Sequence, residues 1–92
     1  MKAQPKTYTF HHDPGHGWLE VPLTDLCRSG AQQGISSFSY LRRDSATNGT
    51  VFLEEDCDAH KFLSKLKEGS YKIEPKYYDG ECFIRELSCF PA

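Results

Sequence analysis

A histidine-rich segment is the first candidate for chemistry. Residues 11–17 read HHDPGHG, which places three histidines and one aspartate within six residues. Imidazole and carboxylate groups are good ligands for zinc and other divalent metals. Adjacent strand residues point to opposite faces, so His11 and His12 are not expected to bind one ion together. His11 and Asp13 are two residues apart and would lie on the same face of the strand, and His16 can fold back across the turn. These three residues are therefore the metal-site candidates.

The alternative interpretation of this segment is a polar turn whose histidines pack against Trp18 or face the solvent. The spacing of these residues matches no recognised metal-binding motif. A cluster of this kind has low specificity when its structural context is unknown. We therefore predict no metal and no cofactor. A small metal-dependent hydrolase that uses His11, Asp13 and His16 is kept as the alternative function.

An acidic segment is the second candidate. Glu54, Glu55, Asp56 and Asp58 surround Cys57 where a predicted strand leads into a predicted helix. Carboxylates at this position can hold magnesium. The simpler interpretation is that they cap the helix and interact favourably with the positive end of its dipole, so we expect Asp56 or Asp58 to cap the helix. An exposed acidic patch can also engage a basic partner, which makes these four carboxylates the partner-binding candidates.

A nucleophilic cysteine is the third chemistry considered. Cys57 precedes His60 by three residues, a spacing that makes the two neighbours on a helix. Catalysis would also require an oxyanion hole and a group that orients the histidine, and neither is visible. No catalytic residue is assigned, and the protein is predicted not to be an enzyme.

The elements that position these segments form a repeat. Each copy reads aromatic-x-aromatic, turn, aromatic-Leu-Glu and helix, first from residue 8 and again from residue 38. Two strand-strand-helix units and a last hairpin predict an α+β fold of order ββαββαββ, with an antiparallel sheet and both helices on one face. The predicted ranges are strands 6–12, 17–21, 35–42 and 50–55, helices from Pro22 to Gly30 and from the acidic segment to Gly69, and a hairpin of 71–78 with 82–90.

Three side-chain expectations follow from this arrangement. Phe38 and Tyr40 alternate along a strand, so both are expected to face the helices. Glu74 would face Arg85 across the last hairpin. Pro75 cannot donate to a ladder, so its hairpin is expected either to supply an edge strand or to be irregular there.

Length and composition predict one domain over residues 1–92, with residues 1–5 frayed. The net charge of −2 does not favour nucleic acid, and no apolar run is long enough to cross a membrane. The first nine residues lack the apolar core of a signal peptide, so a cytoplasmic location is expected. The four cysteines are then expected to be reduced thiols, mostly buried.

Three segments carry a resemblance to known proteins. They are GHGWLEVP at residues 15–22, SY at 39–40 and VFLEEDCD at 51–58. This pattern resembles a family of small bacterial, plasmid and phage proteins of uncharacterised function, with HGWL-x-VP followed by SY and then YLEEDCD. The resemblance covers roughly residues 8 to 66 and implies no catalytic residues. It implies a mobile-element context, in which small acidic proteins often inhibit host defence.

The sequence therefore predicts a small intracellular protein that binds another macromolecule, as a regulator or inhibitor encoded on a phage or other mobile element. A protein partner is expected, and a homodimer is left open.

Overall fold

The computed structural model describes residues 6–43 and 49–91, so the predicted fraying of residues 1–5 lies outside the described residues. The strands and helices follow the predicted strand-strand-helix repeat, with one 3-10 helix after the first helix and another before the last strand. In chain order they are β1 (Lys6–His12), β2 (Gly17–Pro22), α1 (Leu23–Ser29), a 3-10 helix (Ala31–Gly34), β3 (Tyr40–Arg42), β4 (Thr50–Glu54), α2 (Ala59–Leu63), β5 (Tyr71–Tyr77), a 3-10 helix (Phe83–Glu86) and β6 (Ser88–Cys89).

The six strands form one sheet in the order β5-β1-β2-β4-β3-β6. Most neighbours are antiparallel, as predicted, but β1 and β5 run parallel, so the sheet is mixed. The predicted antiparallel sheet is therefore wrong at this pair. The cause is the crossover through α2, which returns the chain in the direction of β1.

One face of the sheet carries both helices, as predicted. The main core on this side contains Leu19 and Val51 from the sheet, Leu26 from α1 and Phe62 from α2. The Phe62 ring meets the Tyr8 ring edge-on, with 5.4 Å between centroids. Because both helices are short, their stability comes from this packing rather than from the helices themselves.

The opposite face is covered by the C-terminal segment instead of being left open. A second core there buries Trp18 and Phe52 against Cys82 and Ile84. The predicted C-terminal hairpin is wrong, because β5 and β6 lie at opposite edges of the sheet and residues 78–87 cross the face between them. The helix-free face was too apolar to remain exposed, and this segment buries it.

The third strand and the second helix are shorter than predicted. Residues 35–39 form a turn in which the Ser39 N–H donates to the Ser36 carbonyl, and β3 begins only at Tyr40. Helix α2 ends at Leu63, well before Gly69, because the amides of Lys65 and Leu66 bond to carbonyls three residues back and tighten the chain into 3-10 turns. Helix α1 ends as predicted, with Gly30 in the left-handed conformation at φ 83°.

Pro75 has the position that its chemistry requires. It lies on β5, opposite Phe10 of β1, and β5 is an edge strand of the sheet. The sequence prediction of an edge strand at this point is confirmed. Among the described residues, no helix has the length and apolar character needed to cross a membrane.

Candidate functional site

The two chemically interesting segments of the sequence meet in space. Strands β2 and β4 are antiparallel neighbours with Trp18 opposite Glu54, so the start of one lies beside the end of the other. The Glu55 N–H donates to the Gly17 carbonyl at 3.0 Å and extends this pairing into the acidic turn. The histidine-rich turn and the acidic turn therefore flank one end of the sheet.

A cleft of about 280 Å³ opens at this end of the sheet. We call it the acidic aromatic cleft. Its walls are three aromatic side chains and five polar ones: Trp18, Phe38, Tyr40, His16, Glu54, Asp56, Cys57 and Arg85. The volume lies at the low end for small-molecule sites, which suits one or two side chains of a partner better than a cofactor.

The aromatic walls differ in how firmly they are held. Trp18 is 2% exposed, and its ring meets that of Tyr40 edge-on at 6.2 Å. Phe38 is 66% exposed, so it stands at the rim with its ring largely in solvent. The expectation that Phe38 and Tyr40 face the helices is wrong: Phe38 precedes the strand, where alternation does not apply, and Tyr40 packs on the helix-free side.

A buried carboxylate holds the loop that presents Phe38. Asp58 is fully buried and accepts hydrogen bonds from the backbone and hydroxyl of Ser36 and from the Ser39 hydroxyl. Burial alone would raise the pKa of Asp58, but the hydrogen bonds from Ser39 and Ser36, with the ammonium of Lys61, lower it below its usual value. The two serines flank Phe38 and so fix its position at the rim.

The helix-capping prediction is wrong in its choice of residue. Asp58 occupies the position before α2 but makes no side-chain cap, and Asp56 lies two residues before that position. Glu54 instead organises this turn, because its Oε1 accepts the N–H groups of Asp56 and Cys57 at 2.8 and 2.9 Å. A carboxylate that satisfies free amide groups at a turn does the work of a cap.

The predicted acidic patch is consequently divided. Asp58 is internal, Glu54 is 7% exposed at the floor of the cleft, and Glu55 is half-buried. Only Asp56 has an exposed carboxylate beside the cleft. A partner would therefore meet Asp56 and the floor carboxylate of Glu54, rather than a surface of four acids.

Asp13 is committed to a structural role. Its carboxylate accepts bonds from Nε and Nη2 of Arg85, from the backbone of Cys82, and from the backbone of Gly15 and His16. The Arg85 guanidinium, with these amides, holds the pKa of Asp13 far below its usual range although burial opposes this. The predicted Glu74–Arg85 pair is wrong, because Arg85 is bound to Asp13.

His11 and His16 have different surroundings. His11 is buried, with Nδ1 at 2.8 Å from the Tyr78 hydroxyl and Nε2 at 2.6 Å from Glu20 Oε1. His16 is half-exposed in the cleft, with Nδ1 4.0 Å from Glu54 Oε2. His11, Asp13 and His16 therefore do not converge, and within residues 6–43 and 49–91 no three His, Cys, Asp or Glu side chains are grouped to hold a metal ion.

Cys57 lines the cleft but is poorly activated. Desolvation, and then the neighbouring carboxylates of Glu54, Asp58 and Asp56, raise the pKa of its thiol. The thiolate is the nucleophilic form of cysteine, and these surroundings disfavour it at neutral pH. The cleft therefore offers binding chemistry more readily than nucleophilic catalysis.

The indole of Trp18 leaves one polar group unsatisfied in the wall of the cleft. Its Nε1–H is buried and meets no hydrogen-bond acceptor among the described residues. Nearly all buried polar groups in proteins have a partner, so such a group calls for an explanation. Because this nitrogen is shielded from solvent, a bound ligand could reach it only if the ring moved.

No protein-family model matches the chain, and no curated protein or solved structure matches it either.

Sequence reasoning identified part of this site. His16, Glu54 and Asp56 belong to the two segments singled out above, whereas Arg85, Phe38 and Tyr40 were not assigned to a site. Arg85 comes from the segment that crosses the helix-free face, and local pattern carries no signal for that crossing. Phe38 had a signal in the serines on either side of it, which are typical of a turn rather than a strand.

Proposed function

We propose that this protein acts by binding a protein partner through the acidic aromatic cleft. The observation that carries the proposal is Phe38, a large apolar side chain that is 66% exposed at the rim of a concave, aromatic-walled cleft. Exposed aromatic residues beside such a cavity are typical of the anchor positions of protein interfaces.

Two further features support binding rather than catalysis. The histidine and carboxylate of the hydrolase hypothesis, His11 and Asp13, are engaged in internal hydrogen bonds. The loop that carries Phe38 is held in place by Asp58, so little conformational freedom would be lost when a partner binds.

The biological role that we propose is that of a regulator or inhibitor acting in the cytoplasm, encoded on a phage or other mobile element. The support is the resemblance in residues 15–22, 39–40 and 51–58, together with four free thiols, which suit a reducing compartment. Antagonism of host defence is proposed by analogy with small acidic proteins in that context.

The test compares two exposed aromatic residues. Wild-type protein, Phe38→Ala and Tyr77→Ala would each be used to capture partners from a lysate of the native host, and the captured protein would then be purified for affinity measurements. Tyr77 is 75% exposed on β5, away from the cleft, and serves as the matched control. We expect Phe38→Ala to weaken binding roughly tenfold or more and Tyr77→Ala to leave it unchanged. Equal affinity of the two variants would refute the cleft as the binding surface.

A further inference from the structure

We infer that the acidic aromatic cleft takes an arginine side chain from an extended basic segment of the partner. This inference rests on the proposed function and specifies the chemistry of its ligand. It follows from the charge in the cleft, from its aromatic walls and from the protein nature of the proposed partner.

The charge in the cleft is negative once internal pairs are removed. Arg85 contributes a guanidinium to the wall, but Asp13 neutralises it through hydrogen bonds of 2.6 and 2.9 Å. The carboxylates of Glu54 and Asp56 have no comparable ion pair among the described residues, since the nearest cationic candidate, His16, is 4.0 Å from Glu54. A cation is therefore favoured in the cleft, and an anion would be repelled.

The walls favour a guanidinium among cations. Arginine presents a flat, weakly hydrated group that stacks on aromatic rings and binds carboxylates with two parallel hydrogen bonds. The cleft already shows this chemistry, because the Arg85 guanidinium carbon lies 5.2 Å from the centre of the Trp18 ring. Tyr40 and the exposed ring of Phe38 provide further aromatic surface for an incoming side chain.

The proposed partner is a protein, so the arginine belongs to a peptide and is not a free cation. Trp18 is 2% exposed, it lines the cleft, and its Nε1–H meets no acceptor in the described part of the chain. A carbonyl oxygen is the acceptor that a peptide main chain brings beside each side chain. Because Nε1 is shielded from solvent, a carbonyl could pair with it only if the ring moved, so we expect the peptide to be recognised through its guanidinium.

The chain contains a built-in reporter for this test, because Trp18 is its single tryptophan. The probe is a capped hexapeptide of sequence Ala-Leu-Arg-Arg-Leu-Ala, titrated while Trp18 emission is recorded. The matched peptide replaces both arginines by citrulline, which keeps the shape and removes the charge, and a third peptide carries lysine. We expect saturable binding of the arginine peptide, roughly tenfold weaker binding of the citrulline peptide, and weaker binding of the lysine peptide.

Two variants locate the binding. Asp56→Asn removes the exposed carboxylate of the cleft, and Asp79→Asn makes the same change at an exposed position outside it. We expect the first to weaken binding of the arginine peptide roughly two- to fivefold and the second to leave it unchanged. Equal binding of the arginine and citrulline peptides, equal effects of the two variants, or no saturable change in Trp18 emission would each overturn the inference.

Failure of this inference is distinguishable from failure of the proposed function. If capture of the partner depends on Phe38 but the arginine and citrulline peptides bind alike, the cleft is an interface with different ligand chemistry. If Phe38→Ala and Tyr77→Ala capture the partner equally well, the proposed function fails whatever the peptides do.

Discussion

The carboxylate of Asp13 and the guanidinium of Arg85 are joined by two hydrogen bonds, of 2.6 Å from Nε and 2.9 Å from Nη2, across 72 positions of sequence. Asp13 is 1% exposed, so this pair sits at the buried contact between the histidine-rich turn and the C-terminal segment. It fastens that segment onto the helix-free face of the sheet and holds Arg85 in the wall of the cleft.

Arg85→Lys should lower the free energy of unfolding by roughly 1.5–3 kcal/mol, because an ammonium group cannot reproduce the two-bond geometry and loses a charge-assisted hydrogen bond. Urea unfolding followed by Trp18 fluorescence measures this change. Glu74→Gln is the control, since Glu74 is exposed on β5 and should change the value by less than about 0.5 kcal/mol. A larger effect at Glu74 than at Arg85 would contradict the observed pairing.

Stability should fall in acid, and Asp13 should account for much of the fall. The pKa of Asp13 is depressed in the folded protein below its ordinary value of 3.8, so the folded state binds fewer protons than the unfolded state at low pH. The resulting stabilisation is complete above about pH 5 and is lost progressively as the pH drops below about 4. Urea unfolding at several pH values between 7 and 3 should show a shallower acid loss for Asp13→Asn than for the wild type. Parallel curves would show that another group dominates.

The two aspartates beside Cys57 should contribute very differently to the free energy of unfolding. Asp58→Asn should destabilise the protein by roughly 3–5 kcal/mol, because Asp58 is fully buried and binds Ser36, Ser39 and Lys61. Asp56→Asn should change stability by less than about 0.5 kcal/mol, because Asp56 is exposed. Thermal or urea unfolding of the two variants in one buffer makes the comparison. Similar destabilisation by both would contradict the division of the acidic patch.

The core contribution of α2 should be concentrated in one residue. Phe62→Ala should cost about 3–5 kcal/mol of unfolding free energy, because Phe62 is fully buried against Tyr8. Leu66→Ala should cost less, roughly 1–2 kcal/mol, because Leu66 is only partly buried and lies beyond the end of the helix. Denaturant midpoints measure both values, and an equal or larger loss at Leu66 would be inconsistent with this packing.

The four cysteines should react with a thiol-blocking reagent in two stages. The expectation that they are mostly buried is wrong, because Cys27 and Cys89 are exposed and only Cys82 is fully buried. Intact mass after brief labelling of the native protein should show modification at the two exposed thiols, and Cys82 should be labelled only after unfolding. Rapid native labelling of Cys82 would place the C-terminal segment away from the sheet.

Local patterns predicted the local structure well. Strand β1 has its predicted range, and β2 and β4 differ from theirs by one residue, because alternation and the turn residues between strands are encoded nearby in the sequence. The parallel pairing of β5 with β1 and the crossing of residues 78–87 depend on contacts between distant parts of the chain. No local pattern specifies which sheet edge a late strand joins.

The candidate site shows the same division. The sequence indicated both turns that flank the cleft, but their adjacency follows from the pairing of Trp18 with Glu54. The sequence analysis also predicted that the four acidic residues form one exposed group. In the structure, Asp58 is buried and accepts hydrogen bonds from Ser36 and Ser39. Glu54 accepts hydrogen bonds from the backbone amides of Asp56 and Cys57. Such assignments depend on which donors are nearby after folding.

Pro75 also affects how molecules of this protein meet each other. The Ser70 carbonyl and the Tyr78 N–H both bond to β1, so even-numbered residues of β5 direct their backbone groups inward and odd-numbered residues direct theirs outward. Pro75 belongs to the outward set, where its missing N–H breaks no bond within the sheet. A strand from another molecule would find one backbone N–H donor missing along this edge, and the rigid ring of Pro75 in its place. The outer edge of β5 is therefore a poor template for intermolecular sheet growth, which protects an exposed strand from aggregation.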